Sequence, residues 1–131
     1  MTALTPEDAK TFTDRLKLFA QPQRLLILSH LLEGPCAVSA LEAGTGIGQP
    51  VLSQQLGALR RAGIIRAERE SRAIFYTFQN ENETARTRTL LALLDPSATL
   101  HTPPILKPYP RRTSEDVGAA FAKVVPTAPS L

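Results

Sequence analysis

Thiols and imidazoles are nearly absent from this 131-residue chain, which has one cysteine, Cys36, and two histidines, His30 and His101. A single thiol excludes an internal disulfide framework and a multi-cysteine zinc site within one chain, and fits a reducing cytosol. Two histidines leave little for metal chemistry, so no metal or cofactor is expected. No apolar run approaches the roughly 18 residues of a membrane span, and Met1–Thr13 has neither the basic start nor the apolar core of a secretory signal. The reading is a cytoplasmic protein without a membrane partner. One cysteine, two histidines and scattered carboxylates also supply no nucleophile–base arrangement, so an enzyme is not expected.

What is present is ordinary in bulk and uneven in layout. The chain is 43% hydrophobic and 21% charged, with 15 Lys and Arg against 12 Asp and Glu, a net charge of +3. That excess alone says little about partners. Between Gly44 and Phe78, however, every positive charge is arginine: Arg60, Arg61, Arg66, Arg69 and Arg72, against Glu68 and Glu70. Arginine is the side chain best suited to phosphates and base edges. Prolines are sparse before Asp95–Pro96 and frequent after it. This predicts a domain at 1–95 and a proline-rich extension at 96–131, extended around Pro103–Pro110. Thr113-Ser114-Glu115-Asp116 reads as a cap for a short helix near 114–125 carrying Val117, Phe121, Val124 and Val125. That segment is either a mobile extension or a piece packed on a dimer.

The domain reads as mainly α with a small β-hairpin. Phe12, Leu16 and Phe19 lie at helical spacing in Pro6–Phe19. Pro22 opens a second helix with Leu25, Ile27, Leu28, Leu31 and Leu32, central to the core, which Glu33-Gly34-Pro35 ends. A short helix follows at about Val38–Ala43, then the turn Gly44-Thr45-Gly46-Ile47-Gly48. The turn's glycines do not make a phosphate loop, because lysine and a preceding strand are missing. Gln49-Pro50 opens a helix to about Ala62 with Leu52, Leu56 and Leu59 on one buried face. Its opposite face presents Pro50, Ser53, Gln54, Gly57 and Arg61, with Gln49, Gln55 and Arg60 at the margins. Gly63 is expected as a left-handed cap. Strands Ile64–Arg69 and Ala73–Phe78 flank the turn Glu70-Ser71-Arg72. Asn80 and Glu83 resemble a capping box for a last helix, Glu81–Leu94, whose leucines crowd its C-terminal half and want a partner.

A short helix, a glycine turn, a longer polar-faced helix and a basic hairpin follow the plan of a winged helix-turn-helix. In that plan the second helix of the pair enters the major groove, about 12 Å wide, and offers its N-terminal residues to base edges. Gln49, Ser53, Gln54 and Gln55 suit base contacts, since glutamine can pair with adenine through both amide atoms. Arg69 and Arg72 at the hairpin tip suit phosphates or the minor groove, and Arg60 at the margin of the helix face is a further DNA-binding candidate.

Three segments carry a resemblance. Leu18-Phe19-Ala20-Gln21-Pro22-Gln23-Arg24-Leu25 resembles the opening of the arsenic-repressor (ArsR/SmtB) family. Ile47 through Ile65 is similar to that family's recognition helix and the segment after it, and Arg69 through Tyr76 to its wing. The match covers about residues 14–94. The resemblance implies a homodimeric bacterial repressor, dimerising through its first and last helices. It also implies binding to an inverted-repeat operator in double-stranded DNA, and release by an unknown small-molecule inducer or by thiol modification. The alternative is a winged-helix protein-interaction module that does not bind DNA.

The family's sensing chemistry does not carry over. Ser39 stands where an arsenic-sensing member would have cysteine, and the last helix has no histidine but carries Arg86 and Arg88. The recognition segment is nearest the persulfide- and oxidant-sensing subgroup, whose two thiols would fall near Ser29 and Asp95. Neither is cysteine here, so an intrachain dithiol is excluded. Cys36 is then either a small half-buried residue or a single-thiol redox sensor. His30 is expected as a hydrogen-bonded interior or interface residue.

Overall fold

The computed structural model describes residues 3–100. The segment near 114–125 and the prolines beyond Leu100 lie outside the described residues. Five helices and a small antiparallel sheet follow in the order α1 (Pro6–Phe19), α2 (Pro22–Leu31), β1 (Cys36–Ala37), α3 (Val38–Thr45), α4 (Val51–Arg61), β2 (Ile65–Glu70), β3 (Ala73–Phe78) and α5 (Glu81–Leu94).

Local chemistry sets most of these boundaries. Thr5 caps α1: its hydroxyl accepts from the Asp8 N–H at 3.0 Å, and the Asp8 carboxylate accepts from the Thr5 N–H at 3.4 Å. This reciprocal pair satisfies two N–H groups that the first turn leaves free. Pro6 and Pro22 each stand at the start of their helix, where a missing N–H costs nothing. α4 begins at Val51, slightly later than Gln49-Pro50 suggests, and ends at a left-handed Gly63 with φ 78°.

The hairpin is tighter than the sequence suggests. β2 pairs with β3 from Ile65–Phe78 to Glu70–Ala73, which leaves only Ser71 and Arg72 as the loop. Ser71 takes a positive φ of 58°, as two-residue hairpins require. The two-stranded hairpin expected from the sequence is a three-stranded sheet of order β1-β3-β2, in which Cys36 pairs with Tyr76 and Ala37 with Phe75. β1 gives β3 a second neighbour and ties the hairpin to the segment between α2 and α3.

One core holds the domain together. Ile27, Leu28 and Leu31 of α2, Leu41 of α3, Leu52, Leu56 and Leu59 of α4, and Ile64, Ile65 and Phe78 of the sheet region form a single buried cluster. Phe19 joins it from α1, but Phe12 and Leu16 are 50% and 58% exposed. At the other end of the chain Leu93 and Leu94 are 59% and 56% exposed. The apolar stripes of α1 and α5 are therefore largely uncovered in the single chain.

α5 corrects one expectation. The Asn80 side chain accepts from the Glu83 N–H at 2.9 Å, as a cap should. The Glu83 carboxylate does not return the bond. It is almost buried, at 8% exposure, and pairs with Arg15 of α1 and with Arg86, the latter at 3.2 Å. Two guanidiniums are needed because a buried carboxylate without partners is costly. The result is a fastening between the first and last helices.

His30 is hydrogen-bonded as expected, with Nδ1–H donating to the Leu26 carbonyl at 3.0 Å. Its ring lies against Gly44 so closely that a Cβ there would stand 2.7 Å from Nε2 and 2.8 Å from Cδ2. Gly44→Ala is expected to turn the ring away and free Nδ1 from the Leu26 carbonyl, which the His30 imidazole chemical shifts report. Gly48→Ala, where a Cβ meets open space, should leave those shifts unchanged. Unchanged His30 shifts in Gly44→Ala would remove the assigned close approach.

Candidate nucleic-acid interface

The seat of α4 decides what the helix shows to solvent. Leu52, Leu56 and Leu59 are buried, so at 3.6 residues per turn the far side carries Pro50, Gln54, Gly57 and Arg61. Ser53, Gln54, Arg60 and Arg61 are exposed.

The four polar candidates are not equivalent. Gln49 and Ser53 form a unit: Gln49 Oε1 accepts from the Ser53 N–H at 3.2 Å and from the Ser53 hydroxyl at 2.7 Å. The oxygen thereby caps the helix start, and what Gln49 has left to offer is its two Nε2 hydrogens. Gln54 is exposed. Gln55 is half-buried, and its amide is held at both ends: Arg24 Nε–H donates to Oε1 at 2.8 Å, and Nε2 donates to Gln23 Oε1 at 3.4 Å. The structure brings Gln55 to α2 rather than to the outer face.

Arg61 is a residue that the sequence reading left on the face without a role. A Cβ at Gly57 would meet Arg61 Nη1 at 3.1 Å, so the guanidinium lies back over the middle of the exposed face. The signal was legible: a glycine inside an exposed helix face marks a close approach by something else. Arg60 and Arg61 also occupy the last turn, where cations suit the helix dipole.

On the hairpin, Arg69 and Arg72 are exposed and make no ion pair among the described residues. Arg66 is different. It pairs with Glu68 at 3.0 Å and donates from Nε to the Phe78 carbonyl at 3.5 Å. On α4 and the hairpin, the arginines available to an anion are therefore Arg60, Arg61, Arg69 and Arg72.

Cys36 lies in β1, half-buried, with its thiol directed at the Gly34 carbonyl at 3.4 Å and the His30 carbonyl at 3.9 Å. Burial, and then the Glu33 carboxylate, push its pKa up from the ordinary thiol value. Reactive thiols need the opposite, a positive setting that favours the thiolate. No cluster of three or more His, Cys, Asp or Glu side chains suited to a metal occurs among the described residues. Glu83, the buried acid of α5, is engaged by arginines. No described helix is long and apolar enough to cross a membrane.

A short helix joined by a tight turn to a polar-faced helix, followed by an arginine-tipped hairpin, defines a winged helix-turn-helix DNA-binding regulator. Comparisons with known proteins agree. The family model described as bacterial regulatory protein, arsR family, matches residues 21–67. The biofilm growth-associated repressor of Xylella fastidiosa is 44% identical over 77 residues, which are 56% of this chain and 68% of that protein. The crystal structure of the transcriptional repressor BigR from Xylella fastidiosa superposes with a TM-score of 0.59 at 36% identity, covering 68% of this chain and 92% of that one. The homodimeric winged helix-turn-helix domain Mb0332 from Mycobacterium bovis gives 0.59 at 26% identity, covering 72% and 90%. The chain belongs to the ArsR family and is a DNA-binding transcriptional regulator.

The state of Cys36 gives a direct check. With its pKa raised, the folded chain holds less thiolate near pH 8 than the unfolded chain does. Alkylation by iodoacetamide should therefore be slower in the folded chain than in urea. It should keep accelerating with pH beyond the point where the unfolded rate levels off. An equal or faster rate in the folded chain would contradict the protected thiol.

Proposed function

We propose that the protein is a homodimeric, cytoplasmic repressor that binds a short inverted repeat and leaves it when a small-molecule inducer binds. The observation that carries this is the outer face of α4. Its leucine row fixes Ser53, Gln54 and Arg61 outward, next to a Gln49 whose amide is already oriented by Ser53. In this reading Gln54, with Gln49 and Ser53, meets base edges in the major groove. Arg60, Arg61, Arg69 and Arg72 meet phosphates or groove walls. Residues 1–95 form the DNA-binding and dimerising domain, and 96–131 an extension to it.

The dimer reading draws on the uncovered leucines. Phe12 and Leu16 of α1 and Leu93 and Leu94 of α5 leave two apolar stripes in water, on helices that the Arg15–Glu83 pair fastens together. A second copy would bury both. That the similar Mycobacterium bovis domain is homodimeric supports self-association. The protected thiol favours an inducer over oxidation as the releasing signal, with Cys36 acting through packing.

Two sets of variants test the reading. Arg69→Ala and Arg72→Ala should weaken binding to all sequences alike and flatten the salt dependence by about one ion each. Gln54→Ala should cost about 1–3 kcal/mol at one base position and relax the choice there. Equal losses on operator and random DNA for both classes would remove the assignment of readers. Separately, Leu16→Glu with Leu93→Glu should yield a folded monomer in sedimentation equilibrium. A dimer that survives both changes would place its interface elsewhere.

A further inference from the structure

Arg24 makes an unusual set of contacts for an arginine in the first turn of a helix. Its Nε–H donates across to Gln55 Oε1 on α4 at 2.8 Å, while Nη1 donates back to the Leu18 carbonyl at 3.3 Å. That carbonyl belongs to the last turn of α1, which has no helical donor of its own. Gln55 completes the set by donating from Nε2 to Gln23 Oε1 at 3.4 Å. One half-buried guanidinium thus joins the end of α1, the start of α2 and the middle of α4. No carboxylate pairs with Arg24 among the described residues, so its charge strengthens the bond to the amide oxygen.

The geometry around Gln55 fits holding rather than reading. Bidentate recognition of adenine needs an amide free to turn its oxygen and nitrogen to one base edge, and here each atom already has a protein partner that fixes the amide plane towards α2. On the helix wheel Gln55 sits beside the buried leucine row, whereas Gln54 is turned a further 100° towards solvent. A leucine row fixes the roll of a helix only within the slack of its rotamers. A directional bond from a planar guanidinium adds the restraint that hydrophobic contacts lack.

We infer that Gln55 is a positioning residue, through which Arg24 and Gln23 set the orientation of α4, and that it does not read a base. This rests on the reading of α4 as the helix that enters the groove. The clamp also gives α1 a mechanical path to α4, because the Leu18 carbonyl and the Gln55 amide share one guanidinium.

The test is a double-mutant cycle of Arg24→Ala and Gln55→Ala in the full chain. Affinity is read on the site that the parent protein selects from random DNA, and the base preference is read at each position. Each single change should weaken the site about tenfold, and the double change about as much as either alone, because the two act as one unit. The selected sequence should keep its preference at every position. In the DNA-free protein, the Arg24 Nε–H resonance should exchange slowly with water, and quickly in Gln55→Ala. Arg24→Lys, which keeps the charge without the planar fork, serves where Arg24→Ala does not fold, and should match Gln55→Ala. Loss of preference at one base in Gln55→Ala alone, with additive losses in the double variant, would overturn the inference. A parent protein that selects no sequence, yet protects the Arg24 Nε–H, would fail the groove reading. It would reduce the clamp to a folding contact, which also overturns the positioning role.

Discussion

Burial of Leu52, Leu56 and Leu59 in the core shared with Ile27 and Leu28 determines how α4 is turned about its own axis. Each leucine contributes about 1.5–3 kcal/mol by leaving water, so a turn of the helix that exposed all three would cost an amount comparable with the whole stability of a domain, about 5–15 kcal/mol. Everything proposed for DNA recognition depends on that rotation. It sends Gln54 and Arg61 outward, leaves Gln49 and Ser53 to settle the helix start between them, and brings Gln55 within reach of Arg24. Apolar packing sets the face, and the polar bonds then restrict how far it can drift.

A second constraint acts at the ends of the domain. α1 and α5 are fastened to each other through Glu83 and its two arginines, yet both leave leucine or phenylalanine in water. Large apolar side chains left exposed on two fastened helices suit an interaction surface. The proposed dimer resolves that imbalance and accounts for an acid that is buried so that two helices stay together. Arg24, bonded to both the Leu18 carbonyl and Gln55, links the end of α1 to α4, and in the proposed dimer it would connect the interface to the helix that reads DNA.

Much of this was legible in the sequence where the cause is local. The leucine spacing of α4, proline at the starts of α1 and α2, the glycine after α4 and the hairpin flanking Ser71-Arg72 each follow from neighbouring residues. What escaped is non-local. β1 is two residues long and exists because β3 has a free edge, which no pattern in Cys36-Ala37 announces. The Asn80–Glu83 spacing read as a reciprocal cap, but Arg15, 68 positions away, claims the carboxylate. The bond from Arg24 to Gln55, 31 positions apart, is equally invisible in the local pattern. Polar side chains of suitable type signal a site, whereas their partners decide which of them are free to act in it.

In the proposed repressor a symmetric pair of α4 helices reads DNA sequence. Selection from a random duplex pool with the intact, reduced chain tests it most directly. The expected product is an inverted repeat whose half-sites lie about 10 base pairs apart, centre to centre, with affinity falling steeply as salt rises. A pool that stays random after selection, or one enriched in a single half-site without its inverted copy, would contradict it.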